Sequence, residues 1–462
     1  MNKKYHALKC VLLTLCFLAP ELEAKEEGAN IEKLNWNGLE VVWLKDERYP
    51  VYNFSVYFAD GALGDTPARR GETSTALNLL TSGTRRFDQN EINESLEYFG
   101  ADYGAHVTHE FSSYSMSGLI KDLIPTAKLM CHLMTDTVFP ADVLKREKNR
   151  SIEGLENLVS SHSALASRAF REISLKGTPF DFPTSGKIED MRRTDSSALK
   201  EKLKYLNNDV RKRVYLSGPA AVLEIKRVLQ EECGWGDQTE LYQREVHYEH
   251  KVAKDNGPEI YLVPVKDANQ AQVRIGRFIP KDQISSHELM GLASDYLGGG
   301  FTAPLMRELR VMRGLTYSVS AYAGPQKYYG RSGIATFTKN ETLGKLLKVT
   351  KDVLERNQRG EFSAEQFDRA VEGLAGRYPF RFEDPMSYMS QLMYLDHEGR
   401  DLSELYNFQE SVRSLTREQL VNELKNLYGW SKMSIVVVGD RSLEEQLKKF
   451  GQVKIVEAGK VL

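Results

Sequence analysis

The chain has 462 residues, 41% hydrophobic and 27% charged, a composition for a globular protein with more than one core rather than for a disordered chain. Lys and Arg number 62 against 64 Asp and Glu, a formal net charge of −2. That balance lacks the basic excess of a nucleic-acid binder.

At the N-terminus, Lys3 and Lys4 precede an apolar run over 10–19, and Ala24 stands just before Lys25-Glu26-Glu27. This basic, apolar, small-residue order predicts a signal peptide over 1–24, and hence export to a periplasm or to the medium. The bulky Leu15 before Cys16 argues against a lipoprotein anchor. No later segment reaches the ~18 apolar residues of a membrane-spanning helix. Cys131 and Cys233 remain after the signal; they show no framework spacing and are expected as two buried thiols rather than a disulfide.

β-Branched and aromatic residues with partial alternation predict strands over 39–44 and 51–58. A loop with Gly61, Gly64 and Pro67 leads to an amphipathic stretch over 72–80, a helix over 90–98 broken at Gly100, and a strand over 105–119. The same order returns later. Strands are predicted over 260–265 and 272–276, a helix over 288–297 ending at Gly298-Gly299-Gly300, a helix over 305–312 stopped by Gly314, and a strand over 315–322. A repeat of this length predicts an internal duplication. The expected domains are 30–235 and 258–462, joined by a linker over 236–257 that mixes glycine with charges. Each is expected to be α+β, a mostly antiparallel sheet with helices packed against one face.

Each half carries its own set of landmarks. The first has Asn37-Gly38-Leu39-Glu40-Val41, Gly61, Gly71, Gly83-Thr84 and Gly100-Ala101. The second has Leu297-Gly298-Gly299-Gly300-Phe301, Arg307-Glu308-Leu309-Arg310 and Arg313-Gly314-Leu315-Thr316-Tyr317. Together they resemble the pitrilysin/insulinase family of zinc metallopeptidases over nearly the whole mature chain. The resemblance implies an inverted zinc motif, H-x-x-E-H, between Gly71 and Gly83. Here those positions hold Ser74, Leu77 and Asn78, and the downstream glutamate ligand is replaced by Leu155, flanked by Glu153 and Glu156. Ser and Leu do not replace imidazole or carboxylate donors. The remaining histidines offer no substitute. His106 and His109, three apart in a predicted strand, fall on opposite faces; His247 and His250 lie in the linker; His287-Glu288 lacks a second histidine. No metal or other cofactor is therefore expected on this chain.

In active members of that family an Arg and a Tyr from the C-terminal half reach across to the zinc site. Arg310 and Tyr317 match them, a guanidinium and a phenol suited to donating hydrogen bonds to a substrate carbonyl and its oxyanion. The resemblance thus implies the non-catalytic subunit of a heteromeric zinc peptidase. It would be inactive alone and would assist a zinc-bearing partner of the same family, in a heterodimer that encloses a peptide. The segment 100–117 aligns with the family's peptide-binding edge strand. The alternative is an inactive scaffold or peptide-binding protein of the same fold, resembling core subunits of respiratory complexes.

Overall fold

The computed structural model describes residues 31–236, 238, 241–248 and 257–462. The predicted signal peptide and the middle of the predicted linker, with His250, lie outside the described residues.

Strands β1 (Ile31–Trp36), β2 (Leu39–Lys45), β3 (Val51–Phe58), β4 (Asp102–Val107), β5 (Ser112–Leu119) and β6 (Lys212–Gly218) form one sheet in the order β1-β2-β6-β3-β5-β4. Strands β7 (Glu259–Pro264), β8 (Gln270–Pro280), β9 (Val319–Pro325), β10 (Tyr329–Lys339), β11 (Ser434–Gly439) and β12 (Val453–Ile455) form the other, in the order β12-β7-β11-β8-β10-β9. Parallel pairing is confined to β2 with β6 in the first sheet, and to β7 with β11 and β12 in the second. The expected α+β architecture of two mostly antiparallel sheets is borne out, each sheet being built from one half of the chain.

The central strands are buried on both faces, unlike the edge strands β1, β4 and β9, and the packing explains why. In β7 and β11, Ile260, Leu262, Ile435 and Val437 face the main helical layer of the second half. Their neighbours Tyr261, Val263, Val436 and Val438 face the opposite way, onto Leu165, Ala166, Ala169 and Phe170 of helix His162–Ser174. That helix belongs to the first half. The exchange is reciprocal: helix Pro385–Glu398 of the second half covers the back of the first sheet. There Tyr215 Oη donates to Asp396 at 3.0 Å, and Tyr57 Oη lies 2.9 Å from His397 Nδ1. Fully burying a large apolar side chain contributes about 1.5–3 kcal/mol. Leu165 and Phe170 alone therefore tie the halves firmly, and neither sheet is fully covered without the other half.

Three predicted elements differ in form. The strand over 105–119 is two strands, β4 and β5, because the chain turns at 108–111, where Thr108 N donates to Phe111 O at 2.9 Å. The helix over 305–312 is a π-helix, Met306–Val311, followed by Gly314 at φ +58°. The strand over 315–322 begins only at Val319. Thr316 Oγ1 accepts from Ser318 N at 3.1 Å and donates to Ser318 O at 2.8 Å, a local bond that competes with the ladder. Tyr317 therefore sits in the connection before the strand.

The cysteines also depart from expectation. Cys131 and Cys233 form a disulfide, with Cα atoms 4.6 Å apart. Helix Leu123–Asp136 packs on helix Ile225–Glu231 and brings the two together across 102 residues of sequence. Cysteine spacing alone carries no trace of that packing.

Candidate functional site

Helix Glu72–Asn78 occupies the place of the zinc motif. Its N-cap, Gly71, has φ +93°, and a Cβ there would meet the Ser185 carbonyl, so glycine is required. Leu77 is fully buried in the core of the first half. Ser74 is half-buried and Asn78 exposed; Asn78 Nδ2 donates to Ser74 O at 2.8 Å and to Ser74 Oγ at 3.3 Å. Leu155 is buried near the end of helix Ala141–Glu156. These four side chains do not fit zinc: one polar pair is closed on itself, and two leucines offer no donor. Among the described residues no group of three or more His, Cys, Asp or Glu is arranged to hold a metal ion.

Beside this helix lies a charged cluster that sequence reading missed. Asp65 accepts from Gly71 N at 2.7 Å and from Thr73 N at 3.0 Å. Glu72 accepts from Thr66 N at 2.9 Å and from Arg69 Nε at 3.1 Å. Buried Lys202 lies 3.6 Å from Asp65 and 3.5 Å from Glu72, and donates to Gly64 O at 2.7 Å. Burial pushes the Asp65 carboxyl up to about 6, against the pull of Lys202 and the Thr73 and Gly71 bonds. For Glu72, burial is outweighed by the Thr66 bonds, Lys202 and Arg69, which together hold it below the usual range. Every charge here has a partner, so the cluster acts as structure.

The second half presents the opposite arrangement. Arg310 and Tyr317, the pair that the family resemblance singles out, lie side by side: the guanidinium is 4.4 Å from the Tyr317 ring centroid. Phe301, just after the triple glycine, supplies a second ring at 5.0 Å. Tyr317 is 72% exposed and Phe301 69%. The carboxylate nearest in sequence, Glu308, is already taken. Arg313 pairs with it and Arg356 lies 3.4 Å away; burial raises its pKa, but the two arginines hold it low. Among the described residues Arg310 has no hydrogen-bond or carboxylate partner for its guanidinium. Exposed cation–π contacts are worth about 0.5–1 kcal/mol each, enough to orient the side chain without consuming its donors. A π-turn places the arginine, and such turns recur at functional sites. Phe301 was legible in the glycine-rich string, but its role as a second ring depends on the turn.

The segment 100–117 contains one edge strand, not a continuous one: β4 pairs only with β5 and is the free edge, whereas β5 lies between β3 and β4. At the corresponding end of the other sheet, β9 is the free edge. His106 and His109 do not fall on opposite faces. The turn after β4 brings both to one cavity, where His106 Nε2 is 3.0 Å from Tyr394 Oη and His109 Nε2 donates to Phe182 O at 2.7 Å. His287 lies 3.0 Å from Glu398, away from any metal-ligand cluster.

The family model for the Peptidase M16 inactive domain matches residues 205–374, a stretch that includes Arg310 and Tyr317 but not the helix at 72–78. An uncharacterized zinc protease of Streptomyces coelicolor is 19% identical over 350 residues, 73% of this chain and 74% of its own length. A protein of Helicobacter pylori described as a non-peptidase homolog is 20% identical over 91% of this chain and 95% of its own. Among solved structures, a peptidase M16 inactive domain from Pseudomonas fluorescens superposes with a TM-score of 0.77 at 21% identity, covering 89% of this chain and 98% of that one. The periplasmic protease PqqL of Escherichia coli gives 0.69 at 13% identity and covers 95% of this chain but 49% of that one. No helix of the described residues is long and apolar enough to cross a membrane.

Proposed function

For a chain related to the M16 peptidases whose own motif helix has no zinc ligands, we propose the role of a non-catalytic subunit that assists a zinc-bearing partner in trans. One observation carries this reading: Arg310 is held between two exposed aromatic rings with its hydrogen-bond donors unspent. A side chain kept for packing would be buried, and one kept for an ion pair would have a carboxylate. Arg310 has neither. In a closed heterodimer the guanidinium and the Tyr317 hydroxyl would donate to the carbonyl oxygen of a bound peptide and would hold more strongly as that oxygen gains charge. The free edge of β4 would bind the peptide main chain by strand addition. In this reading the chain is exported under its N-terminal signal and meets its partner outside the cytoplasm.

The test is capture of the tagged chain from its native cells, followed by a peptide-cleavage assay of the recovered complex. The expected partner carries H-x-x-E-H. Arg310→Ala should lower turnover by about 10²–10³-fold, the usual cost of one oxyanion donor, while assembly is unchanged. Recovery of no such partner, or turnover indifferent to Arg310, would favour the scaffold reading. That second reading has support of its own: cytochrome b-c1 complex subunit 1 of Bos taurus is 21% identical over 42% of this chain.

A further inference from the structure

A cavity of about 430 Å³ lies between the free edges of the two sheets. On one side is the turn after β4, with His109 and Glu110; on the other is Tyr322 of β9. Arg171, from the exchanged helix His162–Ser174, and Arg331, from β10, also line it. Among the described residues neither arginine has a carboxylate partner. Arg331 Nε is buried without a hydrogen bond, while Nη2 donates a long one to Ser174 Oγ at 3.5 Å. Among the described residues Glu110 is the one carboxylate on the wall, and it is occupied: His397 Nε2 lies 2.7 Å from it. The cavity's positive charge is felt by its other groups. His109 is pushed down to about 4, by burial first, with Arg171, Arg331 and Arg70 adding to it against the bond to Phe182 O.

An unpaired, largely buried guanidinium such as that of Arg331 is costly, and the exposed Arg171 at the same cavity adds like charge beside it. A bound carboxylate would offset both, since its two oxygens match the planar donors of arginine. We propose that this cavity is a carboxylate-binding pocket, seating an acidic group of an extended peptide between Arg171 and Arg331. The proposal rests on the reading of this chain as a peptide-handling subunit and adds a substrate class: peptides that bring either a free C-terminal carboxylate or an internal Asp or Glu to the seam between the halves.

Isothermal titration calorimetry of the full chain at low ionic strength, with N-acetylated octapeptides of otherwise identical neutral sequence, tests this. One peptide has a central Glu and an amidated C-terminus, one has a free C-terminus only, and one has neither. At least one carboxylate peptide should bind about tenfold tighter than the neutral amide, the scale of a charge-assisted hydrogen bond, and which one does so identifies the source. Arg171→Met should lower that affinity about fivefold or more and leave the neutral peptide unaffected. Its side chain is exposed, so folding should not be at issue. Arg331→Met should remove the preference entirely. Equal binding of all three peptides overturns the pocket but leaves the peptide-handling reading intact. Binding of none overturns the pocket, and cleavage on mixing with the zinc-bearing partner then decides separately whether that reading falls as well.

Discussion

The two halves share one layout yet treat their polar groups in opposite ways. In the first, the helix that should carry the zinc motif has turned inward: Leu77 fills the core, Ser74 and Asn78 bond to each other, and Asp65, Glu72 and Lys202 satisfy one another beside it. In the second, Arg310 keeps its donors free and two aromatic rings stay in solvent around it. Loss of a metal site lets the vacated positions relax into packing and closed hydrogen bonds. On the proposed reading, Arg310 and Tyr317 await a ligand and therefore do not close in that way. The contrast underlies the proposal that Arg310 and Tyr317 act on a ligand, while the former motif helix of the first half serves as packing.

Removing a supporting charge should be far more costly to stability than removing a waiting one. Lys202→Met leaves Asp65 and Glu72 buried without their shared cation, and should destabilise by about 3–5 kcal/mol in urea unfolding. A loss below about 1 kcal/mol would break the comparison. Cys131→Ala with Cys233→Ala should cost about 2–4 kcal/mol, because the bridge closes a long loop within the first half. The same denaturation experiment with and without reductant checks it.

His109 supplies a pH test. Its folded pKa is about 4 against 6.5 for the free group, so the unfolded chain binds more protons between those values. Its contribution is present above about 6.5 and is lost as pH falls towards 4, by up to about 3 kcal/mol. Asp65 has the opposite sign. Raised to about 6 from 3.8, it makes the folded state the greater proton binder in that window, so its contribution weakens as pH rises from about 4 to 6. The two partly cancel in the native chain. His109→Gln should therefore remove the acid-side loss and expose the Asp65 slope, with stability falling as pH rises through that range. A stability profile unchanged by the substitution would show that His109 is not held neutral. The smallest effect is expected at Arg310. Arg310→Ala should change stability by no more than about 1–2 kcal/mol, the worth of its two cation–π contacts. A loss of several kcal/mol would make it a structural residue and erase the distinction between the halves.

Much of this was legible in the sequence. Alternating apolar residues gave β2, β3, β7 and β8, and the glycines marked where helices end, because backbone conformation and burial pattern are local properties. Arg310 and Tyr317 were singled out by the resemblance of a short string to a known family, and their ring contact was seen only in the structure. The loss of zinc donors at Ser74, Leu77 and Asn78 needed only the chemistry of the side chains. What tertiary structure alone decided is of another kind. The Cys131–Cys233 bridge, the Asp65–Lys202 pair, the exchange of helices between the sheets, and the meeting of Arg171 with Arg331 all join residues more than a hundred positions apart. No periodicity links such residues. Their contacts arise because two sheets with central strands apolar on both faces are each covered on one side by a helix from the other half. The sequence thus specified each element and its chemistry, and the mutual burial of the two sheets determined which of those chemistries meet.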